Sequence, residues 1–297
     1  MVKVLVLGAS GYIGNAVAQA FARSGHEVFG LVRKPEKVNM LARDESDVNN
    51  LPTWMPTAER CDIIIDATSE LKEPVKLVNS ILNACNEISK KRVEAGGGKL
   101  TLIYTSGLWI YGGDPFSIKS EQTPLQTDPQ NIDIWRPGCE QKILNSHYIN
   151  SIIIRPGPVY GKSGSLTGDM FKAAVEGRLE GIGNRNIRWA LVHVDDLADS
   201  YVQAAERAEI VKGQIFLIAN NSTESMGDML TAIARVTGFK GEIIFREPTT
   251  DFEVALTHTG IFTNCKSQTL LGWRQKKLGF VDGIEIWWNS FKGWNKL

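Results

Sequence analysis

Metal and disulfide chemistry are the first things this chain lacks the residues for. Its four cysteines, Cys61, Cys85, Cys139 and Cys265, stand far apart with no C-x-x-C pair, and its four histidines are equally dispersed. Neither a zinc site nor a disulfide framework has the spacing it needs, so no metal is expected. Cys61 and Cys85 sit among apolar residues, the setting of reduced core thiols. An excess of one charge is missing too. Lys plus Arg total 33 and Asp plus Glu total 33, with the basic residues scattered, so neither nucleic acid nor an anionic membrane is an expected partner. No apolar stretch approaches bilayer-spanning length, and the N-terminal run of about six residues meets a glycine turn before it is long enough for a secretory signal. The expectation is a soluble, cytoplasmic protein acting on a small-molecule substrate, with its oligomeric state left open.

What is present is apolar material for a sizeable core, 43% of 297 residues, sorted into short β-branched runs that alternate with helical patterns. That alternation is the signature of an α/β fold with a doubly wound parallel sheet, the Rossmann arrangement. Strands are expected at Lys3 to Leu7, Glu27 to Val32, Asp62 to Ala67, Leu100 to Thr105, Ser151 to Arg155 and Gln214 to Ala219, with a short one near Asp47 to Asn50. Helices are expected near Asn15 to Arg23, Pro74 to Lys91, Pro137 to Ser146 and Val194 to Ala208. Gly96-Gly97-Gly98 has no Lys-Ser or Lys-Thr after it and reads as a helix stop. Residues 161–190 and 238–297 break the rhythm with glycine, proline and aromatics. They are expected to form a small, mostly C-terminal substrate-binding cap on a dinucleotide-binding domain of residues 1–160 and 191–237, because ligands of doubly wound sheets bind at the open edge. Trp273 and the Trp287-Trp288 pair read as packing within that scheme.

Between the first strand and the first helix stands Gly8-Ala9-Ser10-Gly11-Tyr12-Ile13-Gly14. A tight turn off a buried strand needs no β-carbon at Gly8, a pyrophosphate reaches the backbone at Gly11 only if no side chain intervenes, and Gly14 lets the helix pack on the strand. The N–H groups of the turn, with Ser10, Tyr12 and Ile13 among its residues, and the positive end of the helix dipole then face the phosphates. The spacing is G-x-x-G-x-x-G, one residue off the standard dinucleotide fingerprint. At the end of the second strand, where an NAD-binding protein places an acid for the ribose hydroxyls, this chain has Arg33-Lys34, with Lys37 close behind. Cations there suit a 2′-phosphate, so the expected cofactor is NADP(H).

Several further stretches are similar to the extended and atypical short-chain dehydrogenase/reductases, the epimerase/dehydratase-like group. They are Asp66-Ala67-Thr68, Tyr104-Thr105-Ser106-Gly107 with Ile110-Tyr111-Gly112, Arg155-Pro156-Gly157-Pro158-Val159-Tyr160-Gly161, Val192-His193-Val194-Asp195-Asp196, and Leu271-Gly272-Trp273. With the glycine turn they span nearly the whole chain in the family's order. The resemblance implies that Pro156, Gly157 and Val159 lie along the nicotinamide and that Ala67, Thr68 and Thr105 face the dinucleotide from strand ends.

The family's catalytic set of Ser or Thr, Tyr and Lys is what the chain departs from. Matching Glu140-Gln141 to the family's helix puts Arg136 at the lysine position and Ile132 at the tyrosine position. Counting back from Tyr111-Gly112 puts Gly107 at the serine position. Arg136 can bind ribose hydroxyls but cannot shuttle protons near neutral pH, and Glu140 one turn on offers it an i,i+4 partner. The proton donor is sought among Tyr111, Tyr160 and His193, with Ser106 the hydroxyl nearest the vacant serine position. Asp195 and Asp196 read as the first turn of a helix beginning at Leu197. The leading expectation is an NADPH-dependent oxidoreductase, a reductase of a small carbonyl or activated alkene with a non-standard active site. The alternative is a catalytically inactive NADP(H)-binding sensor or regulator. Sugar-nucleotide epimerase or dehydratase ranks last, because that chemistry needs the shuttling tyrosine most.

Overall fold

The computed structural model describes residues 1–32, 42–45, 48, 50–70, 72–128 and 132–296. Seven strands form one sheet: β1 (Lys3–Leu7), β2 (Glu27–Val32), β3 (Ala42–Glu45), β4 (Ile63–Asp66), β5 (Thr101–Thr105), β6 (Asn150–Pro156) and β7 (Gln214–Ile218). Their order is β7-β6-β5-β4-β1-β2-β3, and every neighbouring pair is parallel. The chain therefore runs outward from β1 in both directions. The topological switch point falls beside β1, between β2 and β4, and the crevice for a ligand opens at the carboxyl ends of those strands.

Eight principal helices accompany the sheet: α1 (Tyr12–Arg23), α2 (Leu51–Ala58), α3 (Pro74–Glu94), α4 (Arg136–Leu144), α5 (Leu166–Val175), α6 (Val194–Glu206), α7 (Met226–Thr237) and α8 (Ile284–Asn295). The period-two alternation of β1 shows how both faces are covered. Val4 and Val6 pack with Ala16, Val17 and Phe21 of α1 and Leu197 and Ala198 of α6. Leu5 and Leu7 pack on the opposite face with Trp54 of α2 and Leu77, Ile81 and Cys85 of α3. Both sets leave water completely, as strands of a parallel sheet must when helices lie on each side. Alanines at positions 16, 18 and 20 let α1 come close to α6.

The third strand differs from expectation: it is Ala42–Glu45, whereas Asn50 precedes α2. Pro52 lies in the first turn of that helix, where its missing N–H costs little, and Trp54 is buried with its Nε1 donating to Val48 O at 3.2 Å. Helix α6 begins at Val194, three residues before Leu197, because His193 caps it.

A separate aromatic cluster stands apart from the two that cover the faces of the sheet. Tyr160, Phe171, Trp189, Phe280, Trp287 and Phe291 pack there with Met229 and Leu230 of α7. The buried face of α7, placed with the dinucleotide half in the sequence reading, thus lies in this cluster. Trp273 lies in the core of the sheet's α1/α6 face, its Nε1 donating to Asp196 O at 2.8 Å. Among the described residues no helix is long and apolar enough to cross a membrane, and no group of three His, Cys, Asp or Glu has metal-holding geometry.

Candidate active site

The glycine turn closes on backbone contacts that no side chain fits. Gly8 has φ +80°, and a β-carbon there would stand 2.7 Å from Ala67 O, where the chain leaving β4 passes over the turn. Gly11 N donates to Gly8 O at 2.8 Å. A β-carbon on Gly14 would come within 2.2 Å of that same carbonyl oxygen, so this glycine sets how closely α1 sits on β1. Helix α1 then starts with Gly11 as its N-cap and no side chain bonded to its first turn. Its leading N–H groups and the positive end of its dipole form an anion site made of backbone. The side chains of Tyr12 and Ile13 turn into the protein: the Tyr12 hydroxyl donates to Gly161 O at 2.6 Å, and Ile13 packs on the core. What Tyr12 and Ile13 present to a phosphate is therefore first of all main chain. Arg33, Lys34 and Lys37 lie outside the described residues.

The neighbouring strand ends build the rest of the crevice. Asp66 is buried at the end of β4 and takes both the amide and the hydroxyl of Thr68, at 3.0 and 2.6 Å. Burial pushes its carboxyl above the ordinary range against those bonds and the positive charge of Arg136. Thr105 ends β5 with its hydroxyl bonded to Tyr201 of α6 at 2.7 Å. After β6, Gly157 has no room for a β-carbon, which would meet Ala190 O at 1.8 Å. Pro156 completes β6, and Val159, in the core, pairs with Val192.

Arg136 opens α4 and stands over the end of β5. Its Nε donates to Asp133 Oδ1 at 2.7 Å, its Nη1 reaches Thr105 O at 3.4 Å, and its guanidinium lies 4.6 Å from the Trp135 ring centre. The expected Arg136–Glu140 pair does not form. Glu140 points instead into the sheet, where both its oxygens meet Arg155 of β6, at 2.5 and 3.0 Å, with both side chains buried. A guanidinium buried on a central strand needs a counter-charge, and Glu140 is on the helix face that supplies it.

The candidate proton donors are bound into the protein. Tyr111 receives an N–H from Arg155, and burial pushes its phenol up to about 12. Tyr160 is fully buried, donating to Leu278 O and accepting from Asn220 Nδ2 at 3.2 Å. His193 Nδ1 accepts from Asp195 N at 3.1 Å, its ring is 4.6 Å from that of Trp287, and burial pushes it down to about 4. Asp195 pairs with Lys162 Nζ at 2.6 Å, while Asp196 takes the amides of Lys276 and Lys277. Ser106 is buried at the end of β5, and its hydroxyl has no hydrogen-bond partner among the described residues.

Sequence reasoning passed over Asp133. It is buried, held by Arg136, and its Oδ2 lies 3.7 Å from the place of a β-carbon on Gly107. The i,i+3 spacing from Arg136 was the available signal. Asp133, Arg136 and Gly107 thus come together, while Tyr160 and His193 belong to the aromatic cluster near Gly161.

A doubly wound parallel sheet with a glycine turn at its switch point is the Rossmann arrangement. Residues 4–132 match the model of the NAD dependent epimerase/dehydratase family. The epimerase family protein SDR39U1 of Bos taurus is 23% identical over 252 residues, 80% of this chain and 81% of that protein. UDP-glucose 4-epimerase of Thermotoga maritima, solved with UDP-glucose, superposes with a TM-score of 0.80 at 17% identity, over 98% of this chain and 99% of its own. The Thermus thermophilus UDP-glucose 4-epimerase complex with NAD gives a TM-score of 0.77 at 18% identity, with 98% and 99% covered. Over residues 4–132 the chain is therefore similar to the epimerase/dehydratase family, and over nearly its whole length it shares the fold of these epimerases.

Proposed function

We propose that this protein is an NADP(H)-dependent oxidoreductase of a small carbonyl or activated alkene, working without the family's tyrosine and lysine. The observation that carries the reading is the cradle: three glycines at positions where a β-carbon meets backbone, opening a helix whose first turn no side chain caps. Such a cradle fits a pyrophosphate and little else at this point of the fold. Gly8, Ser10, Gly11, Tyr12, Ile13 and Gly14 hold the phosphates in this reading. Ala67, Thr68, Thr105, Pro156, Gly157 and Val159 line the way to the nicotinamide. Arg33, Lys34 and Lys37 favour the 2′-phosphate by charge. Bound there, the dinucleotide supplies or accepts a hydride, and Arg136 fixes the ribose without moving a proton. The cap closes over the substrate.

An NADPH-linked screen of aldehydes, ketones and enones tests the activity, with turnover above background expected. Arg136→Lys keeps appreciable rate, whereas Arg136→Met loses cofactor affinity and rate together. A second reading, an NADP(H) sensor without turnover, is favoured by the internal commitment of Tyr111, Tyr160 and His193. A silent screen with a protein that binds NADPH supports it. Sugar-nucleotide epimerisation, the reaction named for the structural relatives, ranks below both, since Ile132 stands where that chemistry needs a phenol.

A further inference from the structure

Two threonines stand at the crevice on adjacent strands, and their hydroxyls are committed differently. Thr68, just past β4, donates its hydrogen to Asp66 Oδ1 at 2.6 Å, so toward a ligand its oxygen only accepts. Thr105, the last residue of β5, lies 2.7 Å from the Tyr201 hydroxyl of α6, in a contact where either oxygen could donate. Burial decides which one does. Tyr201 is 0% exposed, and Thr105 is the one hydrogen-bond partner of its hydroxyl among the described residues. Burial also pushes the phenol up, so it keeps its hydrogen. Aimed anywhere but at Thr105, that hydrogen would be an unmade bond in the core, whereas the hydrogen of Thr105, half-buried at the crevice, can meet a ligand. Tyr201 therefore donates, and the hydrogen of Thr105 is left to the crevice. The main chain of the same residue is tied as well, since Arg136 Nη1 reaches its carbonyl oxygen at 3.4 Å.

We propose that Thr105 is the hydrogen-bond donor that holds the nicotinamide end of the dinucleotide, and that Tyr201 is the positioning residue that aims it. The inference rests on the dinucleotide-binding function proposed above and deepens it. The group that takes the bond is an oxygen of the nicotinamide riboside, because a hydroxyl whose own oxygen already accepts from Tyr201 offers its hydrogen outward. Accepting from the phenol also polarises the Thr105 O–H and strengthens the bond it gives. Tyr201 itself is too deep to touch the ligand and acts through Thr105.

The test uses the full chain as wild type, Thr105→Val, Thr105→Ser, Tyr201→Phe and the double variant Thr105→Val with Tyr201→Phe. Each is titrated by calorimetry with NADPH and with adenosine 2′,5′-bisphosphate, which carries the adenosine half of the cofactor and nothing of the nicotinamide half. The valine and phenylalanine keep the shapes they replace. Thr105→Val is expected to bind NADPH about three- to tenfold more weakly than wild type, the range of one neutral hydrogen bond, with affinity for the bisphosphate unchanged. Thr105→Ser keeps the hydroxyl and is expected to keep the affinity. Tyr201→Phe is expected to weaken NADPH alone, by no more than Thr105→Val does, and the double variant to match Thr105→Val, since without the threonine hydroxyl the phenol has nothing to aim. Equal NADPH affinity in wild type and Thr105→Val overturns the proposal. So does an equal loss for NADPH and the bisphosphate, which would make Thr105 a support of the fold, and so do additive losses in the double variant, which would make the phenol a packing group. Failure of the wild type to bind NADPH defeats the underlying reading as well, and is seen in the first titration.

Discussion

Three glycines at the crevice do different jobs, and substitution separates them. A β-carbon on Gly11 would stand 3.1 Å from Gly8 O, a contact a small backbone shift relieves, whereas on Gly14 and Gly157 it would stand 2.2 and 1.8 Å from carbonyl oxygens. Gly11→Val is therefore expected to stay folded and lose dinucleotide binding, checked by fluorescence titration with NADPH. Gly14→Ala and Gly157→Ala are expected to lose stability, about 1–3 kcal/mol or more in urea unfolding, because overpacking against main chain has no rotamer to relieve it. His193 gives a residue-scale test in pH. Buried, it titrates at about 4 in the folded protein, against about 6.5 when unfolded. Between those values the unfolded chain takes up a proton that the folded one refuses, so stability falls as pH drops from about 6.5 to about 4, by at most on the order of 3 kcal/mol. His193→Asn keeps an acceptor at the cap of α6 and is expected to flatten that part of the stability profile. A wild-type profile without slope in this window contradicts the placement of His193.

Elements were legible where periodicity is long and pairing is local. The bounds of β1 and β2 could be read from their apolar runs, and α3 from its spacing after Pro74. Helix α2 could not, because Pro52 and Pro56 disguise it as a loop although one of them lies in its first turn. The partner of Glu140 was illegible for a different reason. Spacing makes Arg136 a neighbour, but the face of α4 that turns to β6 is decided by packing, and Arg155 lies there. Since Arg155 and Glu140 are both buried, Glu140→Ala leaves a guanidinium without its counter-charge. The expected cost is about 3–5 kcal/mol in equilibrium unfolding. Arg136→Met, whose side chain is partly open to solvent, is expected to change stability much less and cofactor affinity more. Equal stability losses in the two variants would contradict the division between structural and site-facing pairs.

Across the whole molecule, the sheet and the glycine turn follow from the order of motifs along the chain, because a parallel sheet admits few connections. The makeup of the aromatic cluster does not. Tyr160, Trp189 and Trp287 come from distant segments and meet only in the fold, which is why two aromatic side chains that read as candidates, Tyr160 and His193, prove to be bound within it. Asp133 escaped for the same reason: its nearness to Gly107 is a contact across sequence that no local pattern announces. The central claim is that the glycine cradle holds a phosphorylated dinucleotide at the switch point of the sheet. Calorimetric titration of the full chain with NADPH and with NADH tests it most directly. The account predicts saturable binding of NADPH, roughly ten- to hundredfold tighter than NADH, as charge-assisted bonds to a 2′-phosphate imply. Equal affinity for the two would contradict the cofactor preference, and no binding of either would contradict the claim itself.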